Sequence, residues 1–148
     1  MEKKDVKNDI QAIIDICKDG VEGYETAANN IEYGDLKTLF LRLAQQRKLF
    51  IEEIKDEALK IGMDLNTSGT IKGFFHRTWL ATKATFSSAT NEKVIEESMT
   101  GEKAAVETYD KVLADPELPA YLCDILSEQQ RLIKGTINQL GELKKEIS

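Results

Sequence analysis

Apolar residues recur every three or four positions along most of this chain, the spacing that places them on one face of an α-helix. Four segments carry this pattern; they cover residues 5–31, 35–61 and 91–113 and the stretch from Pro116 towards the C-terminus. In each segment the apolar stripe covers about one-third of the helix surface, the width typical of a helix in a bundle. No stretch alternates with period two for long enough to predict a strand. The pattern therefore predicts an all-α protein with four long helices.

The breaks within each half of the chain are short and carry residues that stop and start helices. Tyr33-Gly34 is expected to end the first helix, and Asp35 to cap the second. Asp115 is expected to cap the fourth helix, with Pro116 at its first position, where the missing N–H of proline is not needed. Because such short connections return the chain directly, helices one and two, and helices three and four, are predicted to form antiparallel pairs.

The connection between the two pairs, about residues 62–90, is far longer than the others. A helix of about 26 residues is about 40 Å long, and a connection of this length can travel that full height. Helices two and three would then be parallel, in up-down-down-up order with one long crossover, which is the ferritin-like arrangement. The alternative is an up-down-up-down bundle with a decorated loop. In both cases the chain is interpreted as a single domain, 1–148.

The crossover has a composition of its own. It contains no acidic residue between Asp64 and Glu92, and its basic and aromatic residues fit a short amphipathic helix over residues 71–86. One hypothesis is that the apolar face of this helix covers the bundle while its basic side chains extend to solvent. The other is that the helix docks on an anionic membrane surface or a partner protein. The residues of this candidate interaction surface are Phe74, Phe75, His76, Arg77, Trp79 and Lys83.

Composition and charge narrow the classes of function. The chain has 148 residues and a formal net charge of −6, with a pI of about 4.9, so there is no electrostatic basis for binding nucleic acid. No apolar run approaches the roughly 20 residues of a membrane span, and the first residues lack the apolar core of a signal peptide. A cytoplasmic location is expected, and membrane contact is not. Cys17 and Cys123 are too few and too far apart for a disulfide framework or a zinc motif.

A bundle of this topology raises the question of a di-iron or di-manganese centre. Such a centre takes a Glu from each of two helices and a Glu-x-x-His motif from each of the other two. The only histidine, His76, lies in the crossover, so neither motif exists in this chain. Superimposing the apolar stripes of the two halves predicts a central polar layer instead, in which Gln46 and Arg47 are alternatives at one position, Glu128 and Gln129 are alternatives at another, and Arg131 lies nearby. Its candidate residues are Cys17, Gln46, Arg47, Glu102, Glu128 and Arg131.

An arginine where a cation would sit predicts a buried Glu–Arg pair in this layer, because a lone buried carboxylate is costly. No cofactor is then expected. The alternative is a nonstandard carboxylate site for iron or manganese that draws on Glu22, Glu25, Glu53 or Glu97. Residues of this kind are more typical of solvated helix faces.

Three motifs stand out along the chain. They are Lys18-Asp19-Gly20-Val21-Glu22-Gly23-Tyr24-x-x-Ala27-Ala28, Leu39-Phe40-x-x-Leu43-Ala44-x-Gln46-Arg47, and Ser68-Gly69 followed by His76-Arg77-x-Trp79-x-x-x-Lys83. With these motifs the chain resembles a family of small bacterial ferritin-like four-helix-bundle proteins that has no assigned activity. The resemblance implies the fold of rubrerythrin and bacterioferritin without their ligand motif, and a bacterial cytoplasmic setting with a loose association with stress.

The leading expectation for function is a metal-free bundle that acts as a binding or structural protein, self-associates into a dimer or larger homo-oligomer, and is not an enzyme. One alternative is a di-metal oxidoreductase or metal-storage protein with altered ligands. The other is a peripheral membrane or partner-docking module that uses the crossover helix.

Overall fold

Four long helices make up the described part of the protein. The computed structural model describes residues 3–29, 31, 34–65 and 91–147. The helices are α1 (Lys3–Asn29), α2 (Gly34–Lys60), α3 (Asn91–Leu113) and α4 (Ala120–Ile147). Within these ranges there is no strand, which confirms the all-α prediction.

Helix α2 ends at a glycine in the left-handed region. Gly62 has a φ of 75°, a conformation that glycine adopts without a Cβ clash. The amide of Met63 donates to the Ala58 carbonyl at 2.9 Å, and the Gly62 amide donates to the Leu59 carbonyl at 3.1 Å. These bonds satisfy terminal carbonyls that the helix itself leaves open. Helix α2 therefore ends at this turn, and the long connection that the sequence predicts begins after it.

The predicted N-terminus of α4 is displaced by four residues. The helix begins at Ala120 rather than at Pro116. The Asp115 carboxylate accepts a hydrogen bond from the Glu117 amide at 2.9 Å, which closes a separate turn ahead of the helix. The carbonyl of Pro119 then accepts the first helical bonds. The helix therefore starts after Pro119 and not at Pro116, because Pro116 lies in a separate turn that the Asp115 carboxylate closes.

The start of α2 also differs slightly from the prediction. Asp35 was expected as the capping residue before the helix, but α2 already includes Gly34. Asp35 therefore lies in the first turn, where an acidic side chain is stabilised by the positive end of the helix dipole.

Two clusters of buried residues show which helix ends meet. The first cluster joins the N-terminal halves of α1 and α4 to the C-terminal halves of α2 and α3; it includes Ile10, Ile54, Val112 and Leu122. The second cluster joins the opposite halves and includes Tyr24, Phe40, Ile95 and Leu140. Helices α1 and α4 therefore run in one direction and α2 and α3 in the other, which confirms the up-down-down-up order.

The helices are arranged as a square. Helix α1 packs on α2, α3 packs on α4, and α1 also packs on α3, while α2 and α4 form the weakest of the four neighbouring contacts. Helices α2 and α3 thus lie on a diagonal. Each fully buried Leu or Ile contributes about 1.5–3 kcal/mol through the hydrophobic effect, so the two clusters supply most of the stability of the bundle. The side between α2 and α4 is the most open.

The crossover predictions fall on residues 66–90, which lie outside the described residues. This applies to the short helix predicted over 71–86 and to the candidate interaction surface of Phe74, Phe75, His76, Arg77, Trp79 and Lys83. None of the four described helices combines the length and the hydropathy that crossing a membrane requires.

Candidate functional site

An ion pair lies at the centre of the bundle, between the two apolar clusters. The guanidinium of Arg47 on α2 donates from Nη1 to Oε1 of Glu102 on α3 at 2.7 Å, and from Nη2 to Oε2. Both side chains are about 1% exposed. Since α2 and α3 lie on a diagonal of the square, this bidentate pair links the two helical hairpins through the middle of the core.

The stem and head of Arg47 are enclosed by aromatic rings and by a close approach of α1. The guanidinium carbon lies 5.9 Å from the centre of the Tyr24 ring and 5.8 Å from that of Phe50, within the range of cation–π attraction. A Cβ built on Gly20 would meet Arg47 Nη1 at 3.3 Å. Glycine at this position therefore gives the guanidinium its space, at a cost in helix propensity of about 1 kcal/mol relative to alanine.

A chain of hydrogen bonds runs from the core to the surface beside this pair. The phenol of Tyr109 donates to Gln129 Oε1 at 2.7 Å, so the thiol of Cys17, 3.5 Å from the same phenol oxygen, is the donor in that contact. Gln129 Nε2 in turn donates to the Phe50 carbonyl at 3.3 Å and to Glu53 Oε1 at 2.8 Å. Together with the ion pair, this chain gives every helix a polar residue in the central layer.

Burial keeps the thiol and the phenols of the central layer protonated. Burial raises the pKa of the Cys17 thiol from 9.0 to about 11, although Arg47 acts in the opposite direction. Burial also raises the pKa of Tyr24 and of Tyr109 well above 10.0. For Arg47, burial disfavours the charge, but the Glu102 carboxylate more than compensates and raises the pKa above its ordinary value. At neutral pH the layer therefore holds one fixed cation, a neutral thiol and neutral phenols.

The structure brings together three of the residues that the sequence placed in a central layer: Cys17, Arg47 and Glu102. Gln46 is only half-buried, and its side chain lines a cavity between α2 and α4. Because successive residues on a helix are about 100° apart, only one of the neighbours Gln46 and Arg47 can face the centre.

The expected core positions of Glu128 and Arg131 are wrong. Their side chains are 55% and 68% exposed, and they pair with each other along the surface of α4. The inward positions of this helix are held by Leu126, Gln129 and Ile133. The physical reason is the helical register: when Gln129 faces the core, Glu128 and Arg131 lie on the solvent-exposed face of α4.

Sequence reasoning missed the roles of several buried polar groups. Tyr109, which donates to Gln129, lies seven residues from Glu102, about two turns, so both are on the same face of α3. Asp19, fully buried, was not singled out. For Tyr109 the available signal was this spacing; for Gln130, which donates to Asp110 at 2.7 Å, there was none beyond its polar character.

The described residues of the bundle core do not fit a di-metal centre. The described part of the chain contains no group of three or more His, Cys, Asp or Glu side chains that could hold a metal ion. Three of the glutamates considered as nonstandard ligands have other partners: Glu25 pairs with Lys48, Glu97 with Lys93, and Glu53 accepts from Gln129. In the centre, the charge that a metal would supply is carried by Arg47.

Comparison with known proteins identifies a family. The model of a family described as a domain of unknown function, DUF2383, matches residues 5–115, which span α1, α2, α3 and the connection between α2 and α3. No curated protein and no solved structure matches the chain.

Proposed function

Because the chain belongs to the DUF2383 family, whose description assigns no activity, we propose a function from the chemistry of its central layer. The protein is a metal-free bundle of ferritin-like topology that works as a binding and structural protein rather than as a di-metal oxidoreductase or storage protein. Its core is closed by the Arg47–Glu102 pair, and its interactions take place on the helix surfaces.

The observation that carries this proposal is the bidentate engagement of Glu102 by a fully buried guanidinium. A divalent cation a few ångströms from a buried guanidinium would meet strong repulsion, since charges interact strongly where water is excluded. The carboxylate that could bridge two metals has both oxygens occupied. The remaining groups of the layer, a protonated thiol, protonated phenols and an amide, are poor ligands for iron or manganese in their neutral forms.

Elemental analysis tests the absence of a resident metal. Protein purified without chelator and dialysed against excess Fe²⁺ or Mn²⁺ is expected to retain almost no metal per chain. Its thermal midpoint should also be the same with these ions and with a chelator, because a ligand stabilises a protein only if it binds the folded state. Two tightly held metals per chain, or a midpoint that a chelator lowers, would contradict the proposal.

Self-association is a second candidate function, favoured by the exposed leucines of α2. Leu41 is 47% exposed, Leu49 59% and Leu59 51%. Leu41 and Leu59 are about five whole turns apart at 3.6 residues per turn, so they share one outward face, with Leu49 beside it. We propose that this face packs against the same face of a second copy, in a two-fold arrangement.

Sedimentation equilibrium measures this association directly. The wild-type chain is expected to form a dimer at micromolar concentration, and Leu49→Lys to shift it towards monomer, because a buried unpaired charge opposes assembly. The matched control is Ser127→Lys on the exposed face of α4, which should leave the dimer intact. A wild-type chain that remains monomeric at all concentrations would contradict the α2 interface.

A further inference from the structure

Between α2 and α4 lies a surface groove that the central layer does not use. Its lower end is closed where Gln129 of α4 bonds to the Phe50 carbonyl and to Glu53 of α2. From this bridge towards the N-terminus of α2, residues of the two helices line cavities of about 280 Å³ and 410 Å³. Leu39, Arg42 and Gln139 line both cavities, so the two are adjacent, and together they are hereafter called the α2–α4 groove.

The lower part of the groove is cationic and polar. Two arginines, Arg42 and Arg131, line it, together with Gln46 and Gln139, and no acidic residue does. Arg42 forms no ion pair with any described residue. Arg131 already binds Glu128, but a guanidinium has five N–H groups and this contact leaves some of them free.

An unsatisfied amide adds to this polar end. The side-chain oxygen of Gln46 is buried and has no hydrogen-bond partner among the described residues. A buried polar atom without a partner is costly, and the two ends of an amide can exchange by a half-turn. Gln46 also lines the lower cavity, so a rotation of its side chain would bring this amide to a ligand there.

The upper part of the groove is apolar at its base and acidic at its mouth. Leu36, Ile95 and Leu143 contribute aliphatic surface, and Asp35 and Glu146 lie at the end furthest from the Gln129 bridge. Its volume of about 410 Å³ is within the range of about 300–1,000 Å³ that is usual for small-molecule sites, which combine an apolar lining with a few polar groups.

We infer that the α2–α4 groove binds a monomeric long-chain carboxylate, with its head group between Arg42 and Arg131 and its acyl chain along the upper, aliphatic part. This ligand deepens the proposed function and rests on the protein's acting by binding. The distribution of charge fixes the orientation. A carboxylate is attracted by the two guanidiniums, which can hold it bidentately, and it is repelled from the mouth by Asp35 and Glu146.

Titration calorimetry with dodecanoate, kept below its micelle-forming concentration, tests this ligand. Saturable binding of one dodecanoate per chain is expected. Dodecan-1-ol lacks the charge, dodecyltrimethylammonium reverses it, and acetate lacks the chain, so each of these is expected to bind at least about tenfold more weakly, the factor that corresponds to about 1.4 kcal/mol. Equal binding of the alcohol or of the cation would overturn the assignment of the head group, and no saturable binding of dodecanoate would overturn the proposal.

Two variants locate the ligand within the groove. Arg42→Ala is expected to weaken dodecanoate binding about tenfold, since a hydrogen bond to a charged group is lost; Lys37→Ala, which removes the same charge from the same helix outside the groove, should not. Gly135 lines the groove and a Cβ built on it would meet no atom within 4 Å, so the backbone tolerates a side chain here and Gly135→Phe should occupy the groove and abolish binding. Ser127→Phe on the same helix is its control.

The outcomes also separate this inference from the proposed function. If the protein holds no metal but dodecanoate binding is absent or insensitive to Arg42→Ala and Gly135→Phe, the ligand assignment fails and the metal-free bundle stands. If the protein holds two metals per chain, the proposed function itself fails. Circular dichroism of each variant verifies that a loss of binding is not a loss of the helices.

Discussion

Replacing Glu102 by glutamine is expected to lower the free energy of unfolding by about 3–5 kcal/mol, the range for removing one partner of a buried ion pair. The amide keeps the shape of the side chain, but it leaves the fully buried guanidinium of Arg47 without a counter-charge. The cost arises mainly from that uncompensated charge. Urea denaturation followed by circular dichroism measures it as a lower transition midpoint with an unchanged slope.

A double-mutant cycle distinguishes the pair from ordinary core packing. Arg47→Met alone should also destabilise the protein, because it leaves the Glu102 carboxylate buried and unpaired. The double variant Arg47→Met/Glu102→Leu should recover more than half of the loss, since hydrophobic replacement of a whole buried pair is often neutral or stabilising. Glu128→Gln, at the exposed ion pair of α4, is the matched control and should leave stability almost unchanged. A Glu102→Gln variant as stable as this control would show that the central pair does not form.

The pair also explains how much of the site the sequence could predict. The absence of Glu-x-x-His motifs and the apolar stripes were enough to place Arg47 and Glu102 at the same level, because a stripe fixes both the face and the height of each residue in a bundle. The stripe of α4 left Glu128 and Gln129 as alternatives, and an error of one residue rotates a side chain by about 100°. Only packing against Tyr109 and Phe50 selects Gln129.

The α2–α4 groove could not be predicted in the same way. Its existence depends on the distance between two helices that are not neighbours in the chain, and hydrophobic periodicity carries no information on that distance. The residues that give it chemical character, Arg42, Arg131 and Gln139, are ordinary surface residues in the sequence. The order and direction of the helices were easier to predict from the sequence than the groove, because they follow from the lengths of the three connections.

The second large effect is expected at alkaline pH, where the protein should lose stability steeply above about pH 9. Burial raises the pKa of Cys17 from 9.0 to about 11 and raises those of Tyr24 and Tyr109 well above 10.0. Between the unfolded and folded pKa values the folded chain binds more protons than the unfolded chain, so stability falls as pH rises. Each such group contributes a slope of about 1.4 kcal/mol per pH unit, first from the thiol and then, above pH 10, from the phenols as well. Below pH 9 these groups are protonated in both the folded and the unfolded chain, so the free energy of unfolding that depends on them has its full value there.

Urea denaturation at a series of pH values from neutrality to pH 11 measures this slope, and the absorbance of phenolate reports which tyrosines ionise. Tyr24→Phe removes one of the buried acids while it keeps the ring that contacts Arg47, so its stability should fall less steeply above pH 10 than that of the wild type. Tyr121, 38% exposed, provides the control, and Tyr121→Phe should leave the slope unchanged. If Tyr24→Phe and Tyr121→Phe had the same effect, or if all tyrosines ionised before unfolding, the central layer would be open to water. The same layer could then not exclude solvent from the Arg47–Glu102 pair, and the expected cost of Glu102→Gln would shrink with it.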